Sequence, residues 1–388
     1  MPHIDPKLLE WATPRQREII EAIETHGSGR AAERALGLAN DSVGRMLRRV
    51  KAKAAQAGYS PDHNMTRTVP EGYAVKGVST YYDKDGKPRG QWVKSRADDA
   101  ARERIIRQWV ESLSESAARY VPMANPPQHG DDDLLAVYPL GDPHFGLYSW
   151  HEETGENFDL DAADKVTRGA IDRLVASAPN ASEALLINLG DFFHADDSKN
   201  ATPGHGNQLD VDTRYENVMQ VGINSLIHCT YRLLEKHEKV TVWNVKGNHD
   251  PHAYFALSLA MWHHFRDEPR ITINTAPADY LYYRFGKCLI ASHHGHGARA
   301  NELPLLMASD RPQDWGETSF RVWLCGHIHH KTVKEHPGCQ VETFNTLAAK
   351  DAWHNQKGYR SRREASQITY HKEYGEVQRV RVDATMVG

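Results

Sequence analysis

The strongest constraint on the fold of this chain is a recurring pairing of an apolar segment with a polar cluster that can bind metal ions. In one case the apolar run Ala184–Leu189 is followed directly by Gly190 and Asp191. Placing a carboxylate at the end of a buried strand costs free energy unless it is paired or binds a metal. A metal pair, with one oxygen of Asp191 on each ion, would offset that cost. Comparable clusters follow four other apolar runs, and they begin at Gly141, Gly247, Ser292 and Gly326.

The chain after Leu134 alternates between strand-like and helix-like segments, which is typical of an α/β domain. The carboxyl ends of the strands in such a domain gather at one edge of the sheet, where ligands bind. The five clusters should therefore meet in space. The predicted strand segments are Leu134–Leu140, Ala184–Leu189, Val240–Val245, Cys288–Ala291, Arg321–Leu324, Val341–Thr346 and Ile368–Val382, and the predicted helices are Asp161–Ala178, Asn217–His237 and Tyr254–Phe265.

The side chains of the clusters are those that a pair of divalent ions needs. Asp142 and His144 are two residues apart on a predicted extended segment, so their side chains point the same way and can hold one ion. His327 and His329 have the same spacing, and Asn248 offers an amide oxygen. Carboxylate, imidazole and amide ligands suit hard or borderline ions, so we expect manganese, with iron or zinc as alternatives.

The order of these clusters, from Leu134 to Val382, resembles the calcineurin-like metallophosphoesterase superfamily. The resemblance implies a four-layer αββα sandwich with a dinuclear metal site. It assigns the first metal to Asp142, His144, Asp191 and His329. It assigns the second metal to Asp191, Asn248, His294 and His327. In the fourth cluster His293, His294 and His296 compete, and we choose His294 because it precedes a glycine, as in the family pattern.

The resemblance also implies three catalytic residues. His249 would lie beside the substrate phosphate, where it stabilises charge or protonates the leaving group, and Asp250 would orient its ring. His194 lies three residues after Asp191 in a segment similar to the GDLFH motif of SbcD-type DNA repair nucleases, which implies a role in diester cleavage. The alternative is that His194 only caps the loop that follows.

The N-terminal residues predict a helix-turn-helix unit. A helix begins at Thr13 and Pro14, a second spans Arg30–Leu36, and a third starts at Asn40–Ser42. The stretch resembles bacterial and phage helix-turn-helix proteins, except that Glu33 stands where a small residue is expected, which predicts shifted packing of the helices. A recognition helix needs a basic face, and the third helix has one. Its candidate DNA-binding residues are Arg45, Arg48, Arg49, Lys51 and Lys53. A three-helix bundle that binds another protein is the alternative.

The segment between the two units reads as a connector. A β-hairpin is predicted within Val69–Arg96, either as a basic wing or as a spacer, and a helix within Ala97–Tyr120. The stretch Pro122–Asp133 reads as a linker. We therefore predict a helix-turn-helix DNA-binding domain at residues 1–60, a connector at 61–133 and a metallophosphoesterase domain at 134–388.

The composition excludes several classes of protein. The 388 residues contain four scattered cysteines, which is typical of free thiols in a reducing compartment rather than of a disulfide framework. No secretion signal or membrane-crossing apolar run is found, so we expect a cytoplasmic protein with no membrane partner. A net charge of −4 does not identify a partner, because bound divalent ions would offset it.

These observations predict a metal-dependent phosphoesterase, a hydrolase that cleaves phosphodiester bonds. Because a helix-turn-helix would hold DNA near the site, we expect a DNA nuclease of phage or bacterial type. The first alternative is a phosphomonoesterase or small-nucleotide phosphodiesterase, and the second is a DNA-binding regulator with a vestigial metal site. The basic and aromatic segment with Trp353, His354 and Arg360–Arg363 is interpreted as solvated surface, with nucleic-acid contact as the alternative.

Overall fold

The computed structural model describes residues 4–56, 59, 73–83, 88–97 and 126–387. The chain divides into two compact units, Met1–Ile106 and Arg107–Gly388. The boundary falls outside the described residues. The predicted helix within Ala97–Tyr120 also lies outside them, except that Ala97 ends a strand. The predicted linker is shorter than expected, since a strand already begins at Asp131.

The first unit contains the three predicted helices and the predicted hairpin. After a 3₁₀ turn at Pro6–Trp11, helices α1, α2 and α3 span Pro14–His26, Gly29–Ala35 and Ser42–Gln56. Strands β1 and β2, Tyr73–Tyr82 and Pro88–Ala97, pair antiparallel. The side chain of Thr13 accepts the N–H of Gln16 and the Gln16 side chain accepts that of Thr13, so α1 starts with a capping box.

Glu33 has a different role from the one its sequence position suggested. It is buried within α2, and its carboxylate accepts the backbone N–H of Val43 at 3.0 Å. The first N–H groups of a helix have no partner within the helix, so Glu33 supplies one for α3. The helices pack around Ile20, Ala32 and Val50. The larger side chain thus joins α2 to α3 through a hydrogen bond, where a small residue would only permit close packing.

The second unit is an α/β structure in which strands and helices alternate. Its strands β3 to β13 span Asp131–Leu140, Ala181–Asn188, Lys239–Asn244, Ile271–Ile273, Leu281–Phe285, Cys288–Ser292, Phe320–Cys325, Thr332–His336, Cys339–Thr343, Glu364–His371 and Gly375–Asp383. Its helices α4 to α10 span His151–Thr154, Leu160–Ser177, Tyr215–Leu234, Ala253–Phe265, Leu303–Asp310, Pro312–Glu317 and Ala352–Gln356. A 3₁₀ turn at Ala384–Val387 follows.

The strands form two sheets rather than one. The order in the six-stranded sheet is β13-β12-β3-β4-β5-β6, and in the five-stranded sheet it is β10-β11-β9-β8-β7. Strands β3 to β6 are mutually parallel, as are β8, β9 and β11. The segment predicted as Ile368–Val382 is a hairpin of two strands at the edge of the larger sheet.

The two sheets pack face to face, with helices on their outer faces. Leu185 and Ile187 of β4 share one buried cluster with Ile290 of β8 and Leu324 of β9. The opposite face of the smaller sheet packs against α8, and α5 to α7 cover the larger sheet. The side chains of β4 are buried on both faces, which explains its continuous apolar sequence. The arrangement is the four-layer αββα sandwich that the resemblance implied.

A buried ion pair also joins the two sheets. The carboxylate of Glu342, on β11, is fully buried and pairs with the guanidinium of Arg379, on β13. Lys331 lies 3.4 Å from the same carboxylate. Removing one member of such a pair leaves a buried charge without its partner, which is far more costly than the pair itself.

Two further observations concern the cysteines and the apolar character of the helices. Cys229, Cys288, Cys325 and Cys339 are all free and buried. No described helix combines the length and the apolar character needed to cross a bilayer.

Candidate metal centre

Asp191 lies at the centre of the candidate site, immediately after β4. Its Oδ2 lies 3.0 Å from Nε2 of His294, and its Oδ1 accepts the backbone N–H of His249 at 2.7 Å. Nε2 of His294 is also 3.1 Å from Oδ1 of Asn248, while Nδ1 donates to the carbonyl of Leu189 at 2.8 Å. The Nδ1 contact leaves Nε2 of His294 free to bind a metal. The loops after β4, β5 and β8 therefore meet here.

The loops after β3 and β9 form the adjoining half of the site. Nε2 of His329 lies 3.5 Å from Oδ1 of Asp142 and 3.1 Å from Nε2 of His144. The backbone N–H of His327 donates to both carboxylate oxygens of Asp142, at 2.9 and 3.1 Å. All five predicted clusters thus converge. Three come from the larger sheet and two from the smaller one, rather than from the edge of a single sheet.

Two groups of possible ligand atoms each contain three of the four members of one predicted metal set. Asp142, His144 and His329 form one group, and Asp191, His294 and His327 form another. Within each group the possible ligand atoms lie within 4.8 Å of one another. Carboxylate oxygens mixed with ring nitrogens are the donors that manganese, iron and zinc accept. The described residues therefore fit two divalent ions, with Asn248 beside the second group.

The backbone at these residues is not extended, as the sequence spacing had suggested. Asp142, His144, Asp191, His327 and His329 all have positive φ, between 43° and 73°. Non-glycine residues with this left-handed backbone are uncommon, and they cluster at functional sites where the surroundings hold them in place. The strands end at Leu140, Asn188 and Cys325, and sharp loops beyond them aim the side chains at the centre. Such loops depend on contacts between distant segments, for example His327 N–H to Asp142, and the local sequence does not show these contacts.

Two glycines allow the loops to approach the carboxylates. A Cβ added to Gly247 would lie 2.1 Å from Oδ1 of Asp191 and 2.2 Å from its backbone nitrogen. A Cβ on Gly326 would lie 2.6 Å from Oδ2 of Asp142. Neither position has room for a side chain, so these glycines are required by close approach to the central carboxylates.

The electrostatics of the centre separate its imidazoles into two classes. Burial opposes the charged form of His294, but Asp191 and Asp142 outweigh it and raise the pKa of His294 to about 10. The same contact holds the pKa of Asp191 well below its usual range despite burial. Burial, with the nearby His249, lowers the pKa of His144 well below its usual value and that of His194 to about 3. The rings of His144 and His194 are therefore unprotonated, as metal binding requires, whereas an ion bound beside Asp191 would have to displace a proton from His294.

His194 lies inside the site rather than in the outer loop. Its Nδ1 is 3.3 Å from Nδ1 of His144, and its ring stacks on that of His249 with centroids 5.4 Å apart. Its Nε2 is buried and has no hydrogen-bond partner among the described residues. Such an atom is costly unless a ligand satisfies it. His144, His194 and His249 form a third group with the spacing of metal ligands.

The orientation of His249 is set by a different residue from the expected one. Its Nδ1 donates to the backbone carbonyl of His194 at 2.8 Å, so Nε2 is free to act on a substrate. Asp250 was expected to orient this ring, but its buried carboxylate accepts the backbone N–H groups of Phe193 and Gly247, at 3.1 and 3.2 Å. Asp250 therefore ties the loop of Asp191 to the loop of Asn248, and that interpretation of its role was wrong.

The three histidines of the fourth cluster take different places. His294 is fully buried against Asp191. His293 accepts the backbone N–H of Gly295 at 3.0 Å, and its ring stacks on Tyr280. His296 is exposed, with its ring 5.3 Å from that of His294.

Sequence reasoning missed the part that α10 plays beside the centre. The ring of His354 stacks on that of His329, with centroids 4.8 Å apart and an angle of 24°. Oδ1 of Asp351 accepts both Nδ1–H and the backbone N–H of His354, at 2.7 and 2.8 Å. An aspartate three residues before a histidine at a helix start was the available signal. The segment that was interpreted as solvated surface therefore borders the site through His354, whereas Trp353 and Arg360 are exposed.

In the first unit, the predicted nucleic-acid face is exposed as expected. Val43, Met46, Val50 and Ala54 are the buried residues of α3. The basic residues on its free side are all exposed, namely Arg45, Arg48, Arg49, Lys51 and Lys53. Arg48 forms an exposed ion pair with Asp41 at 3.2 Å, which is a weak interaction that a phosphate can replace.

Comparisons with known proteins give only distant similarities. No family model and no curated protein matches the chain. A predicted phosphoesterase from Streptococcus pneumoniae TIGR4 is 11% identical, with a TM-score of 0.26, over 64% of this chain and 98% of that one. Vps29 from Entamoeba histolytica complexed with zinc is 14% identical, with a TM-score of 0.28, over 64% and 99%. An archaeal phosphodiesterase is 13% identical, with a TM-score of 0.33, over 64% and 99%. TM-scores this low do not establish a relationship.

Proposed function

We propose that this chain is a two-metal hydrolase of phosphodiester bonds and that its substrate is DNA. The observation that carries the proposal is the convergence of seven candidate ligands, Asp191 and six others, from five strand ends. Nothing in the packing of the sandwich requires two buried aspartates and four imidazoles to meet, and buried charges need partners of this kind. Two divalent ions bound there would polarise a phosphate and activate water.

The residues around the ligands would then orient the reaction. His249 is held through Nδ1 on the carbonyl of His194, so Nε2 is the ring atom that would exchange a proton with the leaving oxygen. The alkoxide of a nucleoside is a poor leaving group, so its departure from the phosphorus benefits from that proton. His194 would position His249 for this step, because the two rings stack. Its buried Nε2 has no protein partner among the described residues and would be available to the substrate.

The test is hydrolysis by the purified chain with added manganese. We expect turnover of bis(p-nitrophenyl) phosphate and little turnover of the monoester p-nitrophenyl phosphate. End-labelled single- and double-stranded DNA should also be cleaved, and His249→Ala should reduce cleavage strongly while leaving bound metal unchanged. Faster hydrolysis of the monoester would instead indicate a phosphomonoesterase. No turnover of either ester would refute the proposal and favour a DNA-binding regulator.

We further propose that α3 holds the DNA. Its basic residues are exposed on the side opposite its buried residues, which is the arrangement a recognition helix needs. The triple variant Arg45→Gln, Arg48→Gln and Arg49→Gln should reduce DNA retention at low salt. It should also lower the slope of log affinity against log salt by about 0.9 for each lost phosphate contact. Unchanged binding would refute this role, and Arg15→Gln on α1, an exposed residue paired with Glu18, is the matched control.

A further inference from the structure

A basic cavity adjoins the metal centre on the side of His329. It has a volume of about 270 Å³, and its lining includes His329, His354, Tyr359, Arg360 and Lys350. This volume lies just below the range of about 300–1,000 Å³ that is usual for small-ligand pockets. A cavity of this size suits part of one nucleotide, such as a single base or a phosphate group. Because His329 is a candidate metal ligand, a molecule in the cavity would lie next to the reacting phosphate.

Aromatic rings lead from the metal ligand to the surface. The ring of His354 stacks on His329, and the ring of Tyr359 meets that of His354 edge-on, with centroids 5.0 Å apart. Trp353 lies 5.9 Å from Tyr359 and is 53% exposed. An indole this exposed gains little from folding, whereas it offers an open face for stacking a base. We call Trp353, His354 and Tyr359 the aromatic patch.

The charge at the cavity suits a polyanion. The guanidinium of Arg360 is exposed and donates to the backbone carbonyls of Asn355 and Tyr359. Among the described residues it forms no ion pair. Lys350 and Arg363 both pair with Glu156, so the cavity has one carboxylate against three cations. The excess of positive charge favours binding of phosphate groups.

We propose that the aromatic patch and Arg360 form a nucleotide subsite, in which a base next to the scissile phosphate stacks on Trp353 and Tyr359 while Arg360 binds a neighbouring phosphate. The strand must then enter unpaired, because a base within a duplex has both faces covered. The substrate class is single-stranded nucleic acid or the frayed end of a duplex. This proposal rests on the proposed phosphodiesterase function and names the substrate of that site.

The test is binding without turnover. Fluorescence anisotropy with calcium in place of manganese would compare a labelled hexathymidylate with an abasic strand of equal length and charge. Every protein would carry the triple arginine substitution on α3, so that the first unit does not contribute. Trp353→Ala should weaken hexathymidylate binding between about fivefold and about 160-fold, which corresponds to the roughly 1–3 kcal/mol of base stacking. Binding of the abasic strand should not change. Trp262→Ala, which removes another exposed tryptophan, is the matched control.

Two more variants distinguish the contribution of base stacking to binding from that of charge, and both from a general loss of folding. Tyr359→Leu should also weaken binding of hexathymidylate more than binding of the abasic strand. Arg360→Gln should weaken both strands equally and reduce the salt slope by about 0.7. The proposal is overturned if the protein that keeps Trp353, Tyr359 and Arg360 binds hexathymidylate no more tightly than the abasic strand. It is also overturned if Trp353→Ala and Trp262→Ala behave alike. Hydrolysis of bis(p-nitrophenyl) phosphate with manganese tests the catalytic proposal separately, so either can fail alone.

Discussion

Gly247→Ala is the substitution that tests the metal centre most directly. The added Cβ would lie 2.1 Å from Oδ1 of Asp191, 2.2 Å from its nitrogen and 2.5 Å from Oδ1 of Asp250. Ordinary contact between heavy atoms begins near 3.5 Å, so a shift of more than about 1 Å is required. Neither carboxylate can yield easily, since Asp191 accepts the N–H of His249 and Asp250 accepts that of Phe193.

The expected cost appears in both catalysis and stability. A misplacement of about 1 Å at a reacting centre can lower the rate about 100-fold, which corresponds to about 2.7 kcal/mol. Overpacking of a buried position costs about 1–3 kcal/mol of folding free energy. We therefore expect kcat/KM for bis(p-nitrophenyl) phosphate to fall at least about 100-fold, bound manganese to fall, and the melting temperature to fall by a few degrees.

The matched control for this variant is Gly204→Ala. A Cβ at Gly204 has no neighbour within 4 Å, and this loop position adopts no left-handed backbone. It should leave metal content, rate and melting temperature unchanged. Metal analysis, steady-state kinetics and thermal unfolding would be measured on both proteins. Wild-type metal content and activity in Gly247→Ala would refute the placement of Asp191 at the centre of the site.

Three further perturbations test the site and the packing of the sandwich. Asp191→Asn should lower manganese-dependent hydrolysis about 100-fold or more, because it removes the central carboxylate; full turnover would exclude a catalytic metal site at this residue. Arg379→Met should cost about 3–5 kcal/mol in urea unfolding, because Glu342 loses its main buried partner. Adding Glu342→Leu should recover most of that loss, and equal destabilisation of the single and double variants would contradict the account. Burial lowers the pKa of His237 to about 4, so its stabilising contribution is present above about pH 6.5 and is lost as the pH falls toward 4. The wild-type protein should lose roughly 3 kcal/mol more than His237→Gln between pH 7 and pH 4, and parallel profiles would refute this.

The candidate ligands could be located from sequence because each one follows a strong local signal. An apolar run with a polar end, such as Ala184–Leu189 before Asp191, shows both where a strand stops and which side chains lie at its tip. The helices were equally visible, since Leu160–Ser177 differs from its predicted bounds by one residue at each end. Parallel strands bring the tips together within each sheet, and the packing of the two sheets brings the two sets of tips together.

The features that sequence did not show depend on contacts between distant segments. The left-handed backbone at Asp142 and His327 is held by a hydrogen bond between residues 185 positions apart. The division of the strands into two sheets was implied by the family resemblance, whereas no local pattern assigns an individual strand to one sheet or the other. Strand Ile271–Ile273 has only three residues, too few for a periodic signal. The contact of Asp250 with Phe193 also joins separate loops, so adjacency in the sequence gave the wrong partner, His249.

The five loops that carry the candidate ligands also bear on the stability of the fold. Three of them belong to one sheet and two to the other, so ions held between them would cross-link the two halves of the sandwich. A ligand that binds only the folded state stabilises it by about 2.7 kcal/mol when its free concentration is 100 times Kd. The melting temperature should therefore report ion occupancy, rising with added manganese even in His249→Ala. Chelation would then weaken the packing of the two sheets and lower the melting temperature as well as stop turnover.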